Sequence, residues 1–374
     1  MISAFRVPQL IQHLLARLAA FSLGLLLCGC SSATNAAPTL QPVLAPTSTL
    51  VAPAPTAAAQ SVVQASPSPV PSTEALPGQL VVVQAGNLWR WRGDNGEQIT
   101  SSGDAFQPAI SPDGQQIAYA RRVTSGSDIV VRSGGGPAPL ALTNNTPDPS
   151  TYSYDRIYAS RWAFYPAWSP DGATLAFASQ FGPPAGSPAA EYRMSLYTIS
   201  AEGARERQAF GSADGHVGRP TYAPDGKTIV FAFSPVKQEE APALYRYTFA
   251  SDHAAVLPGA PPQSYDPAFS PDGQWLACAA RTSSGTDIYA MPVAGGAAVQ
   301  LTTMGFARAP AFSPDGHMLA FLATTAGSNS FDLWVADVQT DAAGTLRLDE
   351  PRQLTTDMHL DADSGVAWGA NEPE

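Results

Sequence analysis

Five aspartates stand at one place in a recurring phrase. It reads Ser-Pro-Asp-Gly around Asp113, Asp171, Asp272 and Asp315, and Ala-Pro-Asp-Gly around Asp225. Carboxylates can act in pairs as general acid and base, so their spacing matters first. Successive copies lie 58, 54, 47 and 43 residues apart. Carboxylates that recur with a turn, one per repeat, belong to the turns. Ser at i, Pro presetting φ at i+1 and Gly at i+3 is the composition of a type I turn. Other catalytic signatures are missing from the sequence. It has no Gly-x-Ser-x-Gly elbow, no P-loop and no dinucleotide fingerprint. His216, His253, His317 and His359 are dispersed without zinc-ligand spacing. Asp361-x-Asp363-x-Gly365 opens like a Ca²⁺ loop but lacks the distal Glu. No catalytic residue, metal or cofactor is assigned from these patterns.

A different chemistry is written at Cys30. Arg6 and Arg17 precede an apolar run from Leu18 to Leu27. A membrane-spanning helix needs roughly 20 such residues, so this shorter run reads as a signal h-region. It ends Leu27-Cys28-Gly29-Cys30. That resembles a bacterial lipobox, with Leu at −3, Gly at −1 and Cys30 as the cleaved, lipidated residue. Cys28 takes the −2 place, where a small Ala, Ser or Thr is usual. Residues 1–29 are expected to be a lipoprotein signal peptide. Residues 30–78 are expected to be the lipidated cysteine and a Pro/Ala/Ser/Thr-rich tether. Phrases such as Ser66-Pro67-Ser68-Pro69 cannot build a core and favour extended polyproline II. At ~3.1 Å per residue the tether could reach ~150 Å. The expected location is exported and lipid-anchored at the cell envelope, on a membrane surface or in the periplasm.

Charge narrows the partners. The formal charge is −11, and losing Arg6 and Arg17 with the signal makes the chain still more acidic. Nucleic acid and anionic membrane surfaces are excluded as electrostatic partners. The membrane is reached through the lipid alone. A protein partner or a cell-envelope polymer remains, and the chain is expected to be a monomer. Cys278 lies alone in the apolar run Trp275-Leu276-Ala277-Cys278 and reads as a core residue.

The elements around the turns explain the repeat. After each turn comes a short apolar strand of alternating size, such as Gln116-Ile117-Ala118-Tyr119-Ala120 or Thr228-Ile229-Val230-Phe231-Ala232. Strands buried between neighbouring sheets read this way. A third strand follows, as in Asp128-Ile129-Val130-Val131 and Asp287-Ile288-Tyr289-Ala290. Several repeats add a short fourth ending in Leu-Thr, at Leu301-Thr302 and Leu354-Thr355. Four strands per unit, repeated, is a β-propeller signature. The phrase resembles the TolB-type propeller family (PD40 repeats), whose unit is built around a Ser-Pro-Asp-Gly turn. The resemblance covers residues 79–374. It implies the fold and leaves activity open, since the shared residues are turn and core residues.

Five turns do not give the blade count directly. Leu80–Gln84, Asn87–Trp91 and Gln98–Thr100 match strands two, three and four of a unit lacking its first strand. At the other end, Gly365–Asn371 matches a first strand whose turn has decayed. The prediction is an all-β, six-bladed propeller of four-stranded antiparallel blades, closed by the C-terminal strand joining the N-terminal blade. Closure hides the strand edges of an open array.

Function is expected in two places. Alternating strand direction puts the long connections 144–164, 180–193, 233–242 and 323–330 on the face opposite the Ser-Pro-Asp-Gly turns. The first of these carries Tyr154, Arg156, Tyr158, Arg161 and Trp162. Such residues suit contact surfaces, and equally suit a loop folded back over the ring. The position just before each first strand should ring the channel mouth: Gln107, Tyr165, Arg219, Asp266, Ala309 and Gly365, with Tyr265 and Arg308 beside them. The expected function is non-enzymatic binding of a protein partner or ligand through the loop-rich face. The alternative is a polysaccharide- or peptide-directed hydrolase or lyase with its site at that mouth.

Overall fold

A computed structural model of the chain describes residues 76–93, 95–133, 138–146, 154–180, 182, 193–236, 241–325 and 327–372. The signal, Cys30 and nearly all of the tether lie outside the described residues.

The first blade holds β1 (Gln79–Gln84), β2 (Asn87–Arg92) and β3 (Asn95–Gln98). The second holds β4 (Ala105–Ile110), β5 (Gln116–Val123), β6 (Gly126–Ser133) and β7 (Leu140–Ala141). A short helix, α1 (Tyr154–Ala159), lies in the next connection. The third blade is β8 (Ala163–Trp168), β9 (Thr174–Gln180), β10 (Met194–Ser200) and β11 (Arg207–Phe210). The fourth is β12 (Gly215–Tyr222), β13 (Thr228–Pro235), β14 (Ala243–Thr248) and β15 (His253–Val256). The fifth is β16 (Ser264–Phe269), β17 (Trp275–Thr282), β18 (Gly285–Pro292) and β19 (Val299–Gln300). The sixth holds β20 (Ala307–Phe312), β21 (Met318–Ala323), β22 (Asp332–Thr340), β23 (Leu346–Leu348) and β24 (Arg352–Gln353). The last strand, β25 (Ala367–Gly369), returns to the first blade and pairs antiparallel with β1, Leu80 opposite Trp368.

The ring is therefore six-bladed, antiparallel within each blade, and closed as the sequence predicts. Side chains reinforce the closure. Trp368 Nε1 donates to the carbonyl of Pro77 at 2.6 Å. Gln79 Nε2 donates to the carbonyls of Gly114 and Ala370, each at 2.8 Å. Leu76 is buried in the core of the closing blade, so packing starts slightly ahead of the expected boundary at residue 79.

The core lies between blades. The second strands of four blades carry a buried aromatic side chain at their centre: Tyr119, Phe177, Phe231 and Phe321. Full burial of one such side chain stabilises by roughly 1.5–3 kcal/mol. Cys278 holds the same register place in β17 and is fully buried. Burial pushes its thiol up to about 12, with Asp266 adding to the effect, so it packs as a small apolar group rather than reacting as a thiolate.

The repeated turn is a closed hydrogen-bond unit. Ser111 Oγ donates to Asp113 Oδ1 at 2.5 Å and accepts from Gln116 N at 2.9 Å. Asp113 Oδ1 also accepts from Gln115 N at 3.1 Å. Gly114 N donates to the Ser111 carbonyl at 2.8 Å. The serine hydroxyl is the main cause holding Asp113 and Asp171 below the usual carboxylate range. These aspartates are turn residues.

A second clasp joins strands three and four, and it was not legible in the sequence. Buried Asp287 accepts from Thr302 Oγ1 at 2.8 Å and Met304 N at 2.7 Å, while Thr302 Oγ1 also accepts from Ile288 N at 2.9 Å. Asp128 with Thr143, and Asp332 with Thr355, repeat the arrangement. The Leu-Thr endings thus satisfy a buried carboxylate that would otherwise be costly. The sixth blade departs from the others. β24 takes the usual fourth-strand place beside Trp334 and Val335, and β23 adds a hairpin on the extended end of β22.

Candidate functional site at the channel mouth

Five of the ring positions sit inside the innermost strands rather than just before them, and Gly365 lies ahead of β25. Five of the six pairings of first and second strand slip at this point: between Phe106 and Ala109, Phe164 and Ala167, Val217 and Pro220, Tyr265 and Ala268, and Arg308 and Ala311. The cause is a β-bulge beside the proline that follows. Gln107, Tyr165, Asp266 and Ala309 have φ of 56, 54, 50 and 56°, and Gly365 has 74°. A bulge re-aims its side chain, and a pre-proline residue cannot relax into the α region. Non-Gly residues with positive φ are uncommon and cluster at functional sites.

The re-aimed side chains meet. Tyr165 N donates to Gln107 Oε1 at 3.0 Å. Arg219 lies over the Tyr165 ring, 4.9 Å from its centroid. Arg219 Nε pairs with Asp266 Oδ1 at 3.2 Å, and Arg308 Nε pairs with Asp266 Oδ2 at 3.0 Å. Arg308 lies 5.2 Å from the Tyr265 centroid and reaches Asp363 Oδ1 at 2.6 Å. Arg219 Nη2 donates to the Asp363 carbonyl at 2.8 Å. Six of the eight mouth residues singled out in the sequence, all but Ala309 and Gly365, thus join one network spanning blades two to six. Asp363 was missed as a member. Its signal in the sequence was its place in the Asp361-x-Asp363-x-Gly365 phrase. Asp361, its Ca²⁺-loop neighbour, is committed to Ser364 and to the amide of Asp363.

Electrostatics fix the charge states. Burial would raise the pKa of Asp266, which is 5% exposed. The charges of Arg308 and Arg219 outweigh it and hold the carboxyl below its ordinary value. Burial likewise acts against the Arg308 charge, and Asp266 more than offsets it. A carboxylate with both oxygens held by guanidinium groups is a weak base and has no proton to give. Arg219 Nη1 and Arg308 Nη2 have no partner among the described residues, and both guanidiniums sit against tyrosine rings. The arrangement can donate hydrogen bonds to a carboxylate or carbonyl and stack an apolar group.

Behind Arg219, toward the turn face, the channel holds a cavity of ≈ 420 Å³, walled by the Pro-Ala segments of the innermost strands, including Pro108, Pro166 and Pro267. The charged network stands at the loop-rich end.

The loop residues divide. Tyr154 opens α1, Arg156 is buried, and Tyr158 is 41% exposed. Arg161 carries a 3.9 Å pair with Glu206 and donates its backbone N–H to the Asn145 carbonyl. Trp162 stacks on Phe164 with centroids 5.7 Å apart. Its amide donates to Gln180 Oε1 at 2.9 Å. The connection's second half is thus tied down on the third blade, with Tyr158 turned outward. Among the described residues, no group of three potential ligands that could hold a metal occurs. No described helix is long and apolar enough to cross a membrane.

Comparison with known proteins agrees with this architecture. The family model for the TolB beta propeller domain (PD40) matches residues 157–350. An uncharacterized peptidase of Bacillus subtilis, YuxL, is 26% identical over 232 residues, 51% of this chain and 32% of that protein. The chain spans about a third of that relative's length. TolB from Acinetobacter baumannii superposes with a TM-score of 0.56 at 19% identity, covering 79% of this chain and 67% of that one. A putative TolB from Agrobacterium tumefaciens gives 0.50 at 18% identity, covering 75% and 90%. At these identities the two structures share the fold.

Proposed function

The chain belongs to the TolB β-propeller (PD40) family, and from that premise we propose that it is a non-enzymatic binding module of the cell envelope that engages a protein partner on its loop-rich face. In this reading Cys30 carries the lipid, and the Pro/Ala-rich segment holds the propeller away from the membrane. The observation that supports it most is the convergence of Gln107, Tyr165, Arg219, Tyr265, Asp266 and Arg308 at one mouth. These are recognition groups, with uncommitted guanidinium donors against aromatic faces. The surrounding surface fits a protein partner. Ile157, Tyr158, Val236 and Phe306 are 42, 41, 55 and 64% exposed, and all lie in connections on that face. Exposed apolar and aromatic side chains beside Tyr and Arg anchors are the residue types enriched at protein interfaces.

The enzyme alternative draws less support. Asp266 is the best-placed carboxylate at the mouth, and its two arginines leave it poorly suited to proton transfer. The relative named as a peptidase is matched over a third of its length, so its activity does not carry over.

The test is in-cell photo-crosslinking from position 306 or 158, with Val293 on the turn face as control. The binding reading predicts one covalent partner from the loop-face positions alone. Capture from Val293 alone would overturn the placement. Turnover of a glycan or peptide, lost in Asp266→Ala, would overturn the non-enzymatic reading. A mature N-terminus without lipid on Cys30, by mass spectrometry, would overturn the anchoring.

A further inference from the structure

The opposite face carries a second site candidate, and it rests on other residues. Between the fifth and sixth blades lies a groove of ≈ 810 Å³, about twice the channel cavity of ≈ 420 Å³. Two departures from the repeat make it. First, β22 runs on into the extra hairpin with β23, so Val338, Thr340 and Leu346 raise a wall found only in this blade. Second, the residue two places after the turn glycine is Gln116, Thr174, Thr228 and Met318 in the other repeats, and Trp275 here. Trp275 is half-buried and lines the groove beside Phe312.

The polar groups around that indole are uncommitted. Trp168 and Trp368 give their indole N–H groups to backbone carbonyls, whereas Trp275 Nε1 has no partner among the described residues. Asp272 and Asp315 spend Oδ1 on their own turns, on Ser270 with Gln274 N and on Ser313 with His317 N. Their Oδ2 atoms stay open. The Gln274 amide and the His317 imidazole are exposed and complete the rim. Burial acts against ionisation of Asp315, and the Ser313 hydroxyl and His317 amide outweigh it, so its acceptor is charged at neutral pH.

We propose that this groove binds a neutral saccharide, with Trp275 as the platform for a sugar ring and Asp272, Asp315, Gln274 and His317 as partners of its hydroxyls. A flat aromatic face takes the C–H face of a pyranose. The open Oδ2 of each carboxylate can accept a sugar hydroxyl proton, and charged hydrogen bonds are the stronger kind. The groove lining holds no Lys or Arg, which disfavours an acidic sugar. The few convergent polar groups over an apolar floor match the general composition of small-ligand sites.

The test uses the full chain purified from its cells. It is applied to an array of neutral, amino and acidic glycans, and the best neutral trisaccharide is then titrated by calorimetry. The expected result is saturable binding of a neutral saccharide. Its affinity should fall at least about tenfold in Trp275→Ala and in Asp315→Asn. The exposed variants Gln274→Ala and His317→Ala, which leave the core untouched, should weaken it too. If Trp275→Ala fails to fold, Asp315→Asn, Gln274→Ala and His317→Ala carry the test. Retention of no neutral glycan above background overturns the proposal, as does affinity unchanged in the exposed variants. Photo-crosslinking at the loop-rich face is unaffected by either result, so the two proposals fail separately.

Discussion

The guanidinium of Arg219 rests on Gly365. A Cβ built at that glycine would lie 2.7 Å from Arg219 Nη2 and 2.9 Å from its Cζ. Gly365 also has φ of 74°, so its backbone and its missing side chain are both required. Through this contact the closing segment of the ring sets where the mouth arginine points. Gly365→Ala should destabilise the propeller by about 1–3 kcal/mol, from positive-φ strain and displacement of Arg219. Chemical denaturation measures it. Unchanged stability would show that Arg219 moves aside freely.

Asp266 supports the mouth from beneath. Asp266→Asn removes the charge shared by two guanidiniums. The loss should reach about 3 kcal/mol, near the lower end for a broken buried pair, because Arg219 and Arg308 keep 17 and 21% exposure.

The same carboxylate predicts a pH dependence. Its folded pKa is lowered, so its contribution is present above the unfolded value of ~3.9 and is lost as pH falls through the folded pKa. Unfolding free energy of the wild type should drop as pH is taken from about 5 toward 3. The drop should be shallower in Asp266→Asn. Parallel profiles would contradict the assignment.

The fourth-blade turn is an incomplete copy. Ala223 stands where the other turns have serine, and Asp225 keeps the Lys227 amide alone, at 2.9 Å. Ala223→Ser should restore the hydroxyl bridge seen at Ser270 and stabilise by about 0.5–1.5 kcal/mol. A melting temperature at or below wild type would show that this turn cannot accept the bridge.

The clasp of the fifth blade gives a matched loss. Thr302→Val keeps the shape and removes the hydroxyl between Asp287 and Ile288 N. It should cost about 1–3 kcal/mol, the penalty of leaving buried groups unsatisfied. Hydrogen exchange at Ile288 should rise with it.

The sequence made the repeat, the blade count and the closing strand legible because each rests on local rules: turn composition and period-two burial. Cys278 was legible as core for the same reason. Most mouth residues could be listed from one alignment position, since five of the six innermost strands have a pre-proline residue there. Their contacts could not. The bulge at Gln107, Tyr165, Asp266 and Ala309 is a backbone event with no fixed residue type, and Asp363 reaches Arg308 from a distant part of the chain. The Asp–Thr clasps were equally hidden, because Asp287 and Thr302 look like ordinary strand residues until the third and fourth strands are paired. Trp275 stood in the sequence only as the start of the apolar run before Cys278, and its place on a groove depends on a hairpin in the next blade.

The most direct test of the proposed function is the affinity of the crosslinked partner for two sets of surface variants. Phe306→Asp and Tyr158→Asp alter the loop-rich face, and Val293→Asp alters the turn face. All three positions are at least 41% exposed, so each variant should fold. Binding through the loop-rich face predicts at least about a tenfold loss for the first two and wild-type affinity for Val293→Asp. Wild-type affinity in Phe306→Asp and Tyr158→Asp, with loss in Val293→Asp, would contradict it.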